Sequence, residues 1–297
     1  MRVGVAIDLH ATASSSGEVT WRHIREQVLT SEQRGFDLVV LPDHLSYRAG
    51  GVGDDTSPDE PVGVREGLTE AAALAAVTSR IVIGHSVINT PYRAPAMLAH
   101  IAATLADISD GRYSLGIGVG NSFDYDQLGV DADHRVARFE ERVEIVAGLL
   151  RDGYADLDGT YCSASDAELA FAPGPERRPP IVVAAGGPRT MNVAARFGDA
   201  WNGFAPTDPT SPVISELLEL LDRTCDEVGR DPSSVDRTVD LGIDPMDLSG
   251  TRGRSVEMLG SLSELGIDEA RCYALSDETH DARLEAIAAL AELVTEI

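Results

Sequence analysis

The stretch that decides the fold is Asp110-Gly111-Arg112-Tyr113-Ser114-Leu115-Gly116-Ile117-Gly118-Val119-Gly120-Asn121. Apolar residues alternate from Tyr113 to Val119, and this period of two predicts a short β-strand. The alternate positions at its end hold Gly116, Gly118 and Gly120. Glycine weakens a strand, so it usually marks a place where backbone or ligand must come close. Because α/β proteins bind ligands at the carboxyl ends of their strands, we interpret this end as one wall of a cofactor site.

Strand and helix patterns alternate along the whole chain on both sides of this stretch. Apolar runs predict strands at 3–9, 36–41, 81–87, 113–119, 181–185, 200–204, 235–243 and 270–275. Helices are predicted at 21–34, 66–78, 95–108, 137–150, 212–228, 253–265 and 280–297, with another after 186–190 and a small hairpin within 156–171. Such alternation is typical of a parallel sheet with right-handed crossovers. We therefore predict an α/β fold, a (β/α)8 TIM barrel that forms a single domain over residues 1–297 with loop insertions.

Composition and charge exclude several classes of function. The 297 residues carry a net charge of −25, which argues against binding to nucleic acid or to anionic membranes. All 24 basic residues are arginine, so lysine-dependent phosphate loops and Schiff-base chemistry are excluded. The cysteines, Cys162, Cys225 and Cys272, lie far apart, and no motif predicts a metal site or a disulfide framework. The sequence has no signal-peptide pattern and no apolar run of membrane-spanning length, which predicts a cytoplasmic location.

The glycine spacing also provides a test for a dinucleotide-binding fingerprint. That motif needs Gly-x-Gly-x-x-Gly between a strand and a helix, with an acidic residue at a strand end roughly 20 residues further on. Here the position of the third glycine holds Asn121, and no clear helix begins after it. Glu140 and Glu141 lie at the required distance, but they fall inside a predicted helix. The sequence therefore argues against a Rossmann-type site.

Motifs at successive strand ends carry a family resemblance. They are Asp43-His44, Gly84-His85-Ser86-Val87-Ile88-Asn89-Thr90-Pro91-Tyr92-Arg93-Ala94-Pro95, the glycines of the fourth strand, Ala184-Ala185-Gly186-Gly187 and Gly198-Asp199-Ala200-Trp201-Asn202. In order and spacing this series resembles the bacterial luciferase-like monooxygenase superfamily. Within that superfamily it is most similar to the oxidoreductases that use the deazaflavin coenzyme F420. The resemblance covers residues 1–203 well and the final third only in general layout.

The resemblance implies a flavin-type ring in the mouth of the barrel. It also implies a non-prolyl cis peptide bond at Ser86-Val87, which forms a bulge behind the ring. Asp43 matches an acidic residue near the polar edge of the ring, and Asn89 matches a position that reaches the cofactor. His44 would exchange a proton with the substrate, since imidazole titrates near neutral pH; the alternative is that Asp43 and His44 only hold the loop together. The expected cofactor-binding set is Asp43, Ser86, Val87, Asn89, Gly118, Gly120, Gly186, Gly187, Arg189 and Thr190.

A phosphate site is predicted at the start of one helix on physical grounds. Gly186, Gly187 and the backbone N–H groups of Arg189 and Thr190 lie where unpaired N–H groups and the helix dipole favour an anion. Arg189 would add positive charge unless it is a solvated surface residue. Because the resemblance implies a cofactor with a phosphate and a polyglutamate tail, two further arginines are candidates for that tail, Arg93 and Arg112.

One departure from the family pattern concerns the reaction. Sugar-phosphate dehydrogenases of this family carry a glutamate after the Gly-x-Gly of the fourth strand, where this chain has Asn121. An amide does not transfer a proton at neutral pH, so the sequence disfavours a sugar-phosphate reaction. Asn121 is expected instead to hold a substrate carbonyl, and it forms the expected catalytic pair with His44.

Three functions remain open from the sequence. The first is hydride transfer between coenzyme F420 and a small organic substrate. The second is an FMN-dependent monooxygenase, which the same fold would serve. The third is a non-catalytic barrel that acts as a partner subunit. The resemblance further implies a homodimer.

Overall fold

Eight parallel strands close into a barrel in the computed structural model of the protein. The structure describes residues 1–9, 19–45, 47–48, 61–62, 64–120, 125, 129–171, 174–206, 208, 210–243, 252–274 and 279–295. In chain order the strands are β1 (Arg2–Ala6), β2 (Leu38–Leu41), β3 (Tyr47–Arg48), β4 (Pro61–Val62), β5 (Val82–His85), β6 (Ile88–Asn89), β7 (Tyr113–Gly118), β8 (Tyr154–Asp158), β9 (Ser163–Glu168), β10 (Ile181–Ala184), β11 (Ala200–Ala205), β12 (Asp236–Ile243) and β13 (Glu269–Ala274).

The barrel confirms the predicted (β/α)8 architecture. Its strands follow the order β1, β2, β5, β7, β10, β11, β12 and β13, and every neighbouring pair is parallel. The last strand returns to the first, with Val3 in register with Ala270. The short β6 pairs with β7 beyond the end of β5, so it continues the same wall of the barrel.

Helices connect successive strands on the outside of the barrel. They are α1 (Trp21–Arg34), α2 (Gly67–Val77), α3 (Pro95–Ile108), α4 (Arg135–Asp152), α5 (Pro188–Phe197), α6 (Val213–Glu227), α7 (Arg252–Glu264) and α8 (His280–Val294). The sequence marks the ends of α1 as predicted: Thr20 Oγ1 accepts the N–H of His23 at 3.3 Å, and Gly35 ends the helix with φ 92°. None of the described helices combines the length and the apolar content that a bilayer crossing requires.

Differences from the predicted bounds have local causes. The strand predicted at 81–87 ends at His85, because a bulge interrupts it before β6. The helix predicted at 137–150 is longer, since it runs until Gly153 adopts φ 71° and closes it. The hairpin expected within 156–171 is present as the antiparallel pair of β8 and β9.

Some strands of the barrel are wholly apolar, and others carry buried polar residues. All four residues of β2 are buried, as expected for a parallel strand covered on both faces. In β11 and β12, by contrast, Asn202, Thr238 and Asp240 are buried polar residues. Buried polar groups require hydrogen-bond partners. Asn202 bonds Thr238 and Asp240 on the adjacent strand, and Asp240 also bonds Ser86 across the barrel interior, at the floor of a cavity.

Candidate active site

A β-bulge separates β5 from β6 and shapes one wall of the barrel mouth. Gly84 is in register with Ser114 and Ile88 with Ile117, so four residue steps on one strand face three on the other. The peptide bond Ser86-Val87, which lies inside this bulge, is cis. The bond expected from the family resemblance is therefore present.

The glycines of β7 make room for the bulge. A Cβ added at Gly116 would lie 1.9 Å from the carbonyl oxygen of His85, and one at Gly118 would lie 2.6 Å from Val87 Cγ2. At Gly120, which has φ 91°, the same atom would lie 1.9 Å from Asn89 Oδ1. The close approach predicted for this strand end is thus an approach of the neighbouring strand. Gly118 and Gly120 also line the cavity. Their predicted contact with a cofactor stays a prediction.

A cavity of about 570 Å³ opens at the carboxyl ends of the strands. It brings together most of the residues predicted for the site, namely Asp43, His44, Ser86, Val87, Asn89, Gly118, Gly120, Gly186 and Thr190. Two residues that the sequence did not single out also line the cavity: Leu217 and Asp240. Gly187 and Arg189 do not line the cavity, and Asn121 lies outside the described residues.

Asp43 is held by partners within the protein. Its side chain is fully buried and accepts hydrogen bonds from Arg93, Nη1 to Oδ2 at 2.6 Å and Nη2 to Oδ1 at 2.8 Å. Asp43 Oδ2 also accepts the backbone N–H of Asn89 at 2.9 Å. Arg93 is further paired with Glu66. The carboxylate expected at the edge of a cofactor ring therefore also fixes the chain on the far side of the bulge.

Asp43 and Glu66 together determine the charge state of Arg93. Burial alone would lower the pKa of this guanidinium, but hydrogen bonds and Coulomb attraction from Asp43 and Glu66 raise the pKa above its ordinary value. Burial alone would likewise raise the pKa of Glu66, while hydrogen bonds from Thr69 and Arg93 lower it. Arg93 is thus committed to an internal ion pair and is not available for a cofactor tail.

Asp240 lies at the floor of the cavity, with partners from the bulge and from β11. Its Oδ2 accepts hydrogen bonds from Ser86 Oγ at 2.6 Å and from Asn202 Nδ2 at 2.9 Å. Asn202 Oδ1 in turn accepts the hydroxyl of Thr238 at 2.8 Å, and the hydroxyl of Tyr273 donates to Ser86 O at 3.4 Å. Burial is the main cause that raises the pKa of Asp240, and the donors and Arg271 lower it in part. The bulge is thereby tied to the opposite side of the barrel.

The backbone at the start of α5, where the sequence predicts an anion nest, carries N–H groups without intrahelical acceptors. Gly187 precedes the helix, and its N–H donates to Thr190 Oγ1 at 3.3 Å. An added Cβ at Gly186 or Gly187 would meet nothing within 4 Å, so the backbone here is open. The N–H groups of Arg189 and Thr190 lie in the first helical turn and lack intrahelical acceptors. Arg189 itself is exposed and paired with Glu140 at 2.5 Å, which makes it a surface residue in this structure.

A family model described as "Luciferase-like monooxygenase" matches residues 1–243. The chain belongs to the luciferase-like monooxygenase family. It is a luciferase-like oxidoreductase with the barrel of that family.

Named relatives of this luciferase-like protein are F420-dependent enzymes. An F420-dependent glucose-6-phosphate dehydrogenase from Beutenbergia cavernae is 30% identical over 268 residues, which cover 86% of this chain and 75% of the relative. Another, from Microbacterium testaceum, is 28% identical over 291 residues, which cover 89% of this chain and 82% of the relative. The solved structure of an F420-dependent secondary alcohol dehydrogenase in complex with an F420-acetone adduct has a TM-score of 0.79 at 17% identity, and the match covers 99% of this chain and 98% of that one. At that identity the structural match shows the fold alone.

Two other polar residues of this luciferase-like protein, Arg112 and His85, have structural roles. Arg112 lies just before β7, at the opposite end of the barrel, where it donates to the carbonyls of Ala75, Thr78 and Ile81. The prediction that Arg112 binds a cofactor tail is therefore wrong. His85 is buried with its Nδ1 3.1 Å from the hydroxyl of Tyr113, and burial lowers its pKa to about 4. It is a neutral packing residue.

Asp240 is the site residue that sequence reasoning missed, whereas Asn202 belonged to a quoted motif but was given no role. Asp240 lies on a strand that was predicted correctly, but only the glycines and motifs at strand ends were treated as signals. Thr238 and Asp240 alternate with Val239 and Leu241 in β12. In a strand covered on both faces, such a polar alternation indicates side chains that point into the barrel, and it would have been the signal to use.

Proposed function

We propose that the protein is a coenzyme F420-dependent oxidoreductase, which transfers a hydride between the deazaflavin and a small organic substrate. The observation that carries the proposal is the bulged wall at Ser86-Val87, beside a cavity of about 570 Å³ that also reaches the anion nest at Gly186. The F420-dependent relatives at 28% and 30% identity support the choice of cofactor.

The residues present fit such a cofactor. Asn89 is buried, and its Oδ1 has no hydrogen-bond partner among the described residues. A buried acceptor without a partner is costly, so it favours a ligand that brings an N–H group. Val87 gives an apolar surface on the same wall, and the N–H groups at the start of α5 suit a phosphate. When bound, coenzyme F420 supplies a hydride donor or acceptor at C5 of its ring.

His44 is the residue that we assign to proton exchange with the substrate. It lies directly after Asp43, on the cavity wall and half-buried. Asp43 is fixed by Arg93, so the backbone that carries His44 is held in place. The imidazole can take the proton of a substrate hydroxyl or return it to a carbonyl.

Cofactor choice is tested by titrating the purified protein with F420 and, separately, with FMN while fluorescence quenching is followed. We expect saturable binding of F420. Micromolar binding of FMN without any binding of F420 would contradict the proposal and favour the monooxygenase.

Substitution His44→Asn is expected to lower the rate of F420-coupled turnover by roughly 10²- to 10⁴-fold, the usual contribution of a positioned acid or base. The F420 dissociation constant should change less than threefold, because the side chain is assigned to the substrate and not to the cofactor. His100→Asn, at an exposed position on α3, is the matched control. Unchanged turnover in His44→Asn would remove the assigned role, and copurification of a partner protein with such an inert site would favour the non-catalytic subunit.

A further inference from the structure

The charges around the cavity distinguish this site from one built for an anionic substrate. Among the described residues that line it, the charged side chains are Asp43 and Asp240, and none is arginine. Asp43 is neutralised by Arg93 at 2.6 Å. Asp240 has hydrogen-bond donors, Ser86 and Asn202, and no ion pair joins it to the described arginines. The floor of the cavity therefore carries an acid without a paired cation.

Three arginines on segments that adjoin the cavity are engaged by other groups. Arg93 is bound by Asp43 and Glu66. Arg142 donates to the carbonyl oxygens of Thr90 and Arg93 at 3.3 Å and 2.9 Å. Arg189 is paired with Glu140 on the outer side of the nest. The chain has no lysine that could replace them.

The sequence that follows several barrel strands is acidic as well. Segments 42–66, 119–134, 244–251 and 275–279 follow β2, β7, β12 and β13 in the chain. They contain Asp43, Asp54, Asp55, Asp59, Glu60, Glu66, Asp124, Asp126, Asp131, Asp133, Asp244, Asp247, Asp277 and Glu278, against the basic residues Arg48 and Arg65. Arg65 is paired with Glu70. In composition, these four segments therefore offer far more acidic than basic side chains.

We propose that the substrate is an uncharged or positively charged hydroxyl compound, and that Asp240 is the residue that rejects phosphorylated or carboxylated substrates. The inference rests on the proposed function and specifies its substrate class. A phosphate or carboxylate of a bound substrate would need a paired cation once it is buried, and at the floor of this cavity it would meet Asp240 instead. The phosphate of the cofactor would not meet Asp240, because we assign it to the backbone N–H groups at the start of α5. Burial raises the pKa of Asp240, and Arg271, Ser86 and Asn202 lower it in part. In either protonation state this side chain brings no positive charge that could pair with an anionic substrate.

The proposed substrate differs in charge from the substrate for which the relatives are named. The enzymes of Beutenbergia cavernae and Microbacterium testaceum are named for glucose 6-phosphate, a phosphorylated sugar. The substitution of Asn for a family glutamate at position 121 points in the same direction from the sequence.

Four probes test the charge preference on F420-saturated protein by isothermal titration calorimetry. Lactate, 1,2-propanediol and 1-amino-2-propanol share a three-carbon skeleton with a secondary hydroxyl and differ in net charge, and glucose 6-phosphate represents the relatives. We expect the diol and the amino alcohol to bind at least ~10-fold more tightly than lactate, and glucose 6-phosphate to show no saturable binding. Asp240→Asn should reduce the discrimination against lactate at least ~3-fold. Asp226→Asn, which makes the same charge change at an exposed position on α6, should leave it unaltered.

Different results of the titrations would overturn the substrate class, the role of Asp240 or the proposed function. Saturable binding of glucose 6-phosphate to the wild-type protein, or equal behaviour of the three-carbon probes including no binding of any, overturns the inference and leaves the proposed function intact. Discrimination that persists unchanged in folded Asp240→Asn overturns the role of Asp240. Failure of the wild-type protein to bind F420 in the preceding saturation step overturns the proposed function itself, and the inference with it.

Discussion

Substitution of Gly116 by alanine is expected to lower the free energy of unfolding by about 3 kcal/mol or more. The added Cβ would lie 1.9 Å from the carbonyl oxygen of His85, which is a backbone atom and has no rotamer by which to move away. Relief requires that β5 and β7 separate at the bulge, with loss of packing and hydrogen bonds in the barrel wall. The measurement is urea unfolding followed by circular dichroism, compared with the wild type at equal m-value.

Gly260→Ala is the matched control for this prediction. Gly260 lies within α7, and an added Cβ would meet nothing within 4 Å. Alanine should therefore stabilise the protein by roughly 0.5–1 kcal/mol, the difference in helix propensity between the two residues. A Gly116→Ala protein as stable as the wild type would show that the bulge does not approach β7 as closely as described.

Removal of the carboxylate in Asp43→Ala is the second change with a large expected effect, a loss of about 3 kcal/mol in the free energy of unfolding. Arg93 is largely buried, and without Asp43 it keeps only Glu66 as an acidic partner. A buried charge that loses its partner costs about 3–5 kcal/mol, and the remaining glutamate places the expected value at the lower end of that range. The same variant frees the backbone N–H of Asn89, so we also expect F420 binding to weaken at least tenfold.

Two comparisons isolate the ion pair. Glu219→Ala breaks the exposed pair with Arg223 on α6, and it should change stability by no more than about 0.5 kcal/mol. In the double variant Asp43→Ala with Arg93→Ala, the loss should be smaller than the sum of the single losses, because no unpaired charge remains. Additive losses would contradict the role given to this pair.

The sequence was sufficient for the architecture because each element carries its own local signals. Thr20 and Gly35 mark the ends of α1, and the apolar runs mark the barrel strands. Since parallel strands place their carboxyl ends together, motifs far apart in the chain could be predicted to meet. His44, Asn89 and Gly186 do line one cavity.

What the sequence could not provide was the pairing between those residues. Asp43 and Arg93 were both predicted as cofactor ligands, and the structure pairs them with each other across 50 residues of chain. The pattern of β7 indicated close approach but could not say that the approaching group is His85 O. Asp240 was missed because the alternation of polar and apolar residues in β12 was not used, and its contact with Ser86 exists only once the barrel has closed. Such contacts depend on the register between strands, which composition and periodicity leave undetermined.

The extra residue in the wall formed by β5 and β6 has a consequence for how the family can change. Loss of one residue between Gly84 and Ile88 would leave three residue steps on both strands, so Ile88 and Asn89 would keep their pairings with Ile117 and Gly118. Asn89 would stay on its present face, but the wall would become a regular ladder. The projection that carries Ser86 to Asp240 would then be absent. A homologue without the extra residue would therefore retain the asparagine at the cavity and lose this link across the barrel.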